Sequence, residues 1–393
     1  MEKHKGIQKI IIKYDKKKQT NIKIMKKIAL IFVFALVACS SNGGDNPTNS
    51  NSFDRTALLT NWADNIIIPS YTNYQSKLQS LTTSANTFAG APTESNLKAL
   101  RTSWLESYKA YQYISMYHFG KSEEINLNMA ANTYPTDATG IETNISSGVY
   151  NLALFSQFSR QGFPGLDYLL NGLGTTDATI VTFYSSNANA TNYKKYLTDV
   201  TAKLKANADA VVTDWNSGYR ASYIANNGTG VTSAVNKTTN AFVKNLEKDI
   251  RTGKIGIPAG QFSAGVKYPE KVEAFYKKDV SKELLTIALQ SQQDFFNGKH
   301  FNSATTGASL KSYLDFLNVI RDTKKLSDII NAQFAAITVS NNALSNNFSE
   351  QINTDNSKMI AAYSTLQQNV IYTKLDMMQA LNITIDYVDG DGD

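Results

Sequence analysis

The chain has 393 residues, with 39 Lys and Arg against 33 Asp and Glu and a formal net charge of +6 at pH 7. Ten lysines and two acids precede Cys39, so the part from Cys39 onward holds 29 basic and 31 acidic residues, a net of −2. That balance leaves no basic field for nucleic acid, and a single cysteine leaves no intrachain disulfide.

Met25-Lys26-Lys27 precedes an apolar run from Ile28 to Ala38 that ends in Leu36-Val37-Ala38-Cys39. Charge, a short apolar stretch and then small residues form a secretory signal. The run is shorter than the roughly 20 apolar residues of a spanning helix. Residues 1–38 are therefore expected to be a signal peptide, complete already from Met25. The Leu-x-Ala-Cys end resembles a bacterial lipobox. That resemblance implies an acylated Cys39 and a lipoprotein of the cell envelope, held by its lipid to the outer membrane and facing the periplasm or the exterior.

Residues 39–52, rich in Ser, Asn and Gly, read as a flexible stalk. From Phe53 the dominant periodicity is helical. Leu97, Leu100, Trp104, Tyr108, Tyr111, Ser115 and His118 recur in steps of three and four, with Thr93 as N-cap and Gly120 as stop. The same steps run through Leu310, Tyr313, Leu314 and Leu317, then Leu326, Ile329, Ile330, Phe334 and Ile337, then Tyr363, Leu366, Val370, Met377 and Leu381. Long amphipathic helices with Asn/Gly/Ser/Thr connections predict an all-α fold of up-and-down helices. A boundary near residue 190 would divide it into two bundle parts, 53–190 and 191–393. Ile383 to Tyr387 is the best short strand candidate.

The most distinctive local sequence is Gln161-Gly162-Phe163-Pro164-Gly165-Leu166-Asp167-Tyr168-Leu169-Leu170-Asn171-Gly172, a short apolar helix with glycine at each end. Pro164 suits a first helical turn, and Asp167 then lies near the positive end of the helix dipole. Asp167 reads either as a helix-terminus residue bonding local N–H groups or an Arg, or as a binding residue and oxygen ligand to a metal. His118 reads as a core histidine on its apolar stripe, or as a ligand; His300 reads as a surface-loop residue. Asp389-Gly390-Asp391-Gly392-Asp393 resembles the start of a calcium loop without its closing Glu, and otherwise a solvated tail. No Gly-x-Ser-x-Gly elbow and no His-Glu-x-x-His spacing is present.

This stretch resembles the imelysin family, whose signature is Gly-x-His-x-x-Glu in a Gly-Phe-His-x-x-Glu-Tyr-Leu-Leu-x-Gly context. Gly162, Phe163, Tyr168, Leu169, Leu170 and Gly172 match it; Pro164 stands at the His position and Asp167 at the Glu position. Trp104 with His118-Phe119-Gly120, the Tyr134-Pro135-Thr136-Asp137 loop, Lys254 to Gly260 and Tyr387 to Asp393 agree with the resemblance. It implies an all-helical, two-part fold with the signature near the junction of the two parts, in envelope proteins often linked to iron uptake and classed among peptidases, with Gly162, Phe163, Pro164, Asp167, Tyr168, His118 and Asp137 as the candidate binding residues.

A divalent metal or iron is the cofactor or cargo this suggests, and an envelope uptake system the partner. Losing His removes a ligand from a zinc site that needs three. The expectation is an envelope protein binding a metal or iron-bearing ligand. A metal-dependent surface peptidase and an anchored scaffold are the alternatives.

Overall fold

Helix α1 (Arg55–Asn61) runs through a π-helical turn, Trp62–Ile67, into α2 (Ile68–Gly90). Pro69 lies inside this continuous helix and cannot donate to the Asn65 carbonyl four residues back, which accepts the Phe301 N–H at 2.8 Å instead. The face carrying Tyr71, Tyr74, Leu78, Leu81, Ala85 and Phe88 is buried. Helix α3 (Glu94–Ile114) starts where the Thr93 hydroxyl accepts from the Asn96 N–H at 3.2 Å. It buries the expected stripe Leu97, Leu100, Trp104, Tyr108 and Tyr111 against α2. The computed structural model describes residues 52–388. The expected signal peptide, Cys39, nearly all of the stalk and the Asp389–Asp393 tail lie outside the described residues.

The stripe on α3 is shorter than its spacing predicts. The helix stops at Ile114, Ser115 is its C-cap, and His118 lies in the irregular segment beyond. Gly120 opens the next turn at φ +59°, where a Cβ would meet the Tyr219 ring at 2.6 Å. The chain then passes through α4 (Ala138–Ser147), α5 (Gly162–Asp167) with a π-helical extension Tyr168–Gly172, and α6 (Asp177–Ser185). Helix α7 (Ala190–Asp214) packs along α2 and buries Leu197, Val200, Leu204, Ala208 and Val211. A line drawn at residue 190 therefore runs between helices that share an interface.

The second set begins with α8 (Ala234–Lys244), prolonged by the π-helical segment Asn245–Gly256. It continues through α9 (Ser281–Phe296), α10 (Leu310–Phe316), α11 (Leu326–Asn342) and α12 (Phe348–Val370) with a π-helical end, Ile371–Met377. Helix α12 lies on the 245–256 segment and on α11, while α9 packs on α3. One hydrophobic core thus runs through both sets.

The fold is all-α. Among the described residues the one strand pair is Ile320–Arg321 with Lys324–Lys325, antiparallel around Asp322 and Thr323 at φ +48° and +67°. The Ile383–Tyr387 candidate does not form a strand. Asn240 satisfies it instead: its Nδ2 donates to the Thr384 carbonyl at 2.8 Å and its Oδ1 accepts from the Asp386 N–H at 3.1 Å. No described helix is long and apolar enough to cross a membrane.

Phe163 enters the core from α5, stacked on Tyr108 with ring centroids 4.5 Å apart and flanked by Tyr74 and Tyr111. Its carbonyl accepts the Trp104 indole N–H at 3.1 Å. Truncating such a ring removes its packing and leaves a cavity, so Phe163→Ala is expected to cost about 3–5 kcal/mol in urea unfolding. A loss below about 1 kcal/mol would show that this ring is not a central packing element.

Candidate functional site

Residues Gly162 to Asp167 form one tight, wholly buried turn and a half. Gly162 has φ +70°, and a Cβ there would lie 2.3 Å from the Ala131 carbonyl oxygen, so the close approach requires glycine. Pro164 sits in the first turn and offers no donor or acceptor side chain where the family signature has histidine. Asp167 is 1 % exposed.

Both Asp167 oxygens are occupied. Oδ2 accepts the Tyr276 N–H at 2.8 Å; Oδ1 accepts the Lys277 N–H at 2.9 Å and the Asn171 side-chain amide at 3.0 Å. Two of these donors come from a loop more than a hundred residues away, so Asp167 is a long-range clamp and not a local helix cap. Burial pushes its carboxyl up to about 7, against the three donors and the nearby Lys277 charge, which pull it down. A small pocket of 140 Å³ beside it is bounded by Tyr134, Pro135, Pro164, Glu270 and Tyr276.

The clamped loop carries Glu273, which is 2 % exposed and has a ligand-like shell of protein groups. Its Oε1 accepts from Asn132 Nδ2 at 2.8 Å and from Gln112 Nε2 at 3.2 Å, and its Oε2 pairs with Lys254. Asn132 Oδ1 in turn accepts the Tyr108 hydroxyl at 2.5 Å. A buried carboxylate is tolerable only when charged and polar partners replace its water, and here they do.

Above this network opens a cavity of 480 Å³ between the end of α3, residues 128–135 and the 245–256 segment. Tyr111, Tyr134, Asn128, Lys248, Asp249 and Lys271 are among its lining residues. Asp249 reaches solvent through the cavity yet is crowded by protein, and this desolvation pushes its carboxyl up despite the Asn245 amide 2.9 Å away. The Tyr111 and Tyr134 hydroxyls are held well above their ordinary range, chiefly by burial, so they remain donors.

The other expected residues have structural partners. Asp137 caps α4, accepting the Gly140 N–H at 2.8 Å, and pairs with Arg160 Nε at 2.8 Å. The Tyr168 hydroxyl donates to Glu142 at 2.8 Å. His118 is half-buried with Nδ1 unpartnered, and burial with the nearby Lys244 lowers its pKa. It is therefore not the hydrogen-bonded core histidine its spacing suggests, and among the described residues it belongs to no group of three metal-ligating side chains.

The sequence reading missed Glu273, Gln112, Asn132, Asp249, Lys248 and Lys271, which converge from separate segments with no short-range spacing. The Lys254 to Gly260 and Tyr134 to Asp137 stretches were the available signal, since each borders the cavity.

A catalytic zinc requires three protein ligands and an open position. Among the described residues no three His, Cys, Asp or Glu side chains group so as to hold a metal. Pro164 contributes none, and Asp167 is spent on N–H donors. These residues do not fit a hydrolytic metal centre at the signature.

The family model described as imelysin matches residues 67–373. An iron-regulated protein A from Synechococcus elongatus is 24 % identical over 245 residues, covering 58 % of this chain and 62 % of that protein. The match thus spans less than two thirds of that relative. Two solved structures share the fold at 17 % identity, each covering 85 % of this chain and 97 % of the other. One is an imelysin-like protein from Psychrobacter arcticum, with a TM-score of 0.65. The other is a candidate iron-regulated protein A precursor from Parabacteroides distasonis, with a TM-score of 0.66.

The state of Asp167 has a pH signature. Its folded pKa of about 7 lies above the unfolded value of about 3.9. Its contribution to stability is fully present below about pH 4 and is lost as pH rises toward 7, because the unfolded chain gives up the proton first. Asp167→Asn removes this term. The thermal midpoint of the wild type relative to Asp167→Asn should therefore fall by a few degrees between pH 4.5 and pH 7.5. A gap that stays constant or widens with pH would contradict the burial effect.

Proposed function

The chain belongs to the imelysin family, and from that premise we propose that it is a cell-envelope lipoprotein that binds a metal or an iron-bearing ligand for iron uptake and does not cleave peptides. One observation carries the choice between binding and hydrolysis. The carboxylate at the signature's Glu position is used, on both oxygens, to hold backbone N–H groups. With the Asn171 amide as well, three of the carboxylate's roughly four lone-pair sites are taken by N–H donors, which leaves it a poor partner for a metal-bound water.

The iron reading is supported by the similarity to an iron-regulated protein A. A cavity of 480 Å³ falls within the usual range of small-ligand sites, roughly 300–1,000 Å³. The envelope setting rests on the signal and the Leu36-Val37-Ala38-Cys39 stop. Acylation of Cys39 would anchor the protein to the outer membrane. A single acyl chain binds membranes weakly, so the anchor would need the multiple acylation typical of such cysteines to be stable.

The test is elemental analysis of the mature chain after incubation with iron salts and ferric chelates and removal of free ligand, alongside peptide cleavage with and without chelator. Retained iron with no chelator-sensitive cleavage is the expected result. Chelator-sensitive cleavage abolished by Asp167→Ala would restore the peptidase reading. Failure to retain iron in any form would remove the iron reading.

A further inference from the structure

The walls of the large cavity differ from a site for a bare cation. Among the described residues one carboxylate, Asp249, lines it, while Lys248, Lys254 and Lys271 do so from two segments of the chain. Lys254 is neutralised by Glu273. Lys248 and Lys271 have no carboxylate within ion-pair distance among the described residues, and Lys271 lies over the Tyr268 ring, 3.7 Å from its centroid.

The polar groups of the cavity are also left open. The Tyr111 and Tyr134 hydroxyls line it without a protein hydrogen bond among the described residues. Asn128 spends its amide N–H on the Ser115 carbonyl at 2.6 Å and leaves its Oδ1 unpartnered. Two lysines and two phenols without acceptors describe a recess whose donors and cations outnumber its single lining carboxylate. Asp249, which accepts from the Asn245 amide at 2.9 Å, is the carboxylate on this wall and offers an acceptor for a ligand hydroxyl.

Resting on the binding function above, we propose that this cavity takes a small hydroxylated polycarboxylate, free or as its ferric chelate, with ligand carboxylates on Lys248 and Lys271 and oxygens on the Tyr111 and Tyr134 hydroxyls. The iron then arrives already coordinated. That accounts for an iron-linked fold in which no three metal-ligating side chains group together among the described residues. The protein recognises the negative shell of the chelator, and recognition falls as that shell is replaced by a neutral or cationic one.

The test is calorimetric titration of the mature chain with citrate, ferric citrate and, as a counter-charge probe, a cationic ferric trihydroxamate. Lys248→Ala and Lys271→Ala variants are titrated in parallel, with circular dichroism confirming that each folds. Both lysines lie at least partly in solvent, so their removal leaves the core intact. A citrate species should bind, each variant should weaken it about tenfold, and the trihydroxamate should not compete.

Metal-free citrate binding as tightly as ferric citrate would identify the polycarboxylate itself as the recognised group. Ferric citrate binding alone would identify the loaded chelate. Citrate binding unchanged in both variants, or equal binding of the cationic chelate, would overturn this inference while leaving the iron-binding function standing. No binding of any of the three probes, together with no retention of iron, would remove both.

Discussion

The contact on which this architecture turns is a carboxylate bound to two backbone amides. Asp167, at the end of α5, receives the N–H groups of Tyr276 and Lys277 and so fixes the loop that follows the 245–256 segment. That loop presents Glu273 to Gln112 and Asn132 from the first set of helices and to Lys254 from the second. The clamp, with the Tyr168–Tyr276 ring contact beside it, holds the Glu273 loop to the signature stretch. The cost of burying one acid is thus tied to the placement of another. The lysine-lined cavity is bordered by Gln112, Asn132 and Lys254, the partners of Glu273.

A second buried carboxylate repeats the logic deeper in the helices that close the chain. Glu247, on the π-helical segment, accepts from Lys374 at 2.9 Å and from the Tyr387 hydroxyl at 2.7 Å. Arg251 stacks over Tyr363 and bonds Gln367. A buried pair of this kind adds little net stability over apolar packing, but removing one partner strands the other charge. It fixes the register of the 245–256 segment against α12. Lys248, Asp249 and Lys254 face the cavity because Glu247 and Arg251 face away from it.

Much of this was legible in the sequence, and its limits have physical causes. Helical stripes such as Leu97-Leu100-Trp104-Tyr108-Tyr111 and Leu326-Ile330-Phe334-Ile337 are buried as their spacing requires. The stripe on α3 overran to His118 because spacing alone carries no stop signal where Ser115 ends the helix. The π-helical segments were invisible, since each inserts an extra residue per turn and shifts the pattern that periodicity detects. The 320–325 hairpin was missed because Asp322 and Thr323 adopt positive φ without glycine. The alternation at Ile383–Tyr387 misled because Asn240 supplies the hydrogen bonds a neighbouring strand would give. At the site, the altered signature was plain in Pro164 and Asp167, but that Asp167 serves distant amides could not be read from local spacing. Glu273 had no motif at all.

The central claim is that Asp167 is committed to the 276–277 amides. Amide hydrogen exchange resolved at Tyr276 and Lys277 tests it directly, in the wild type and in Asp167→Ala. Both amides should be strongly protected in the wild type and exchange rapidly in the variant, while the amides of α3 keep their protection. Rapid exchange in the wild type, or protection in it that iron or zinc abolishes, would mean that the carboxylate is free to ligate a metal, and would contradict the account.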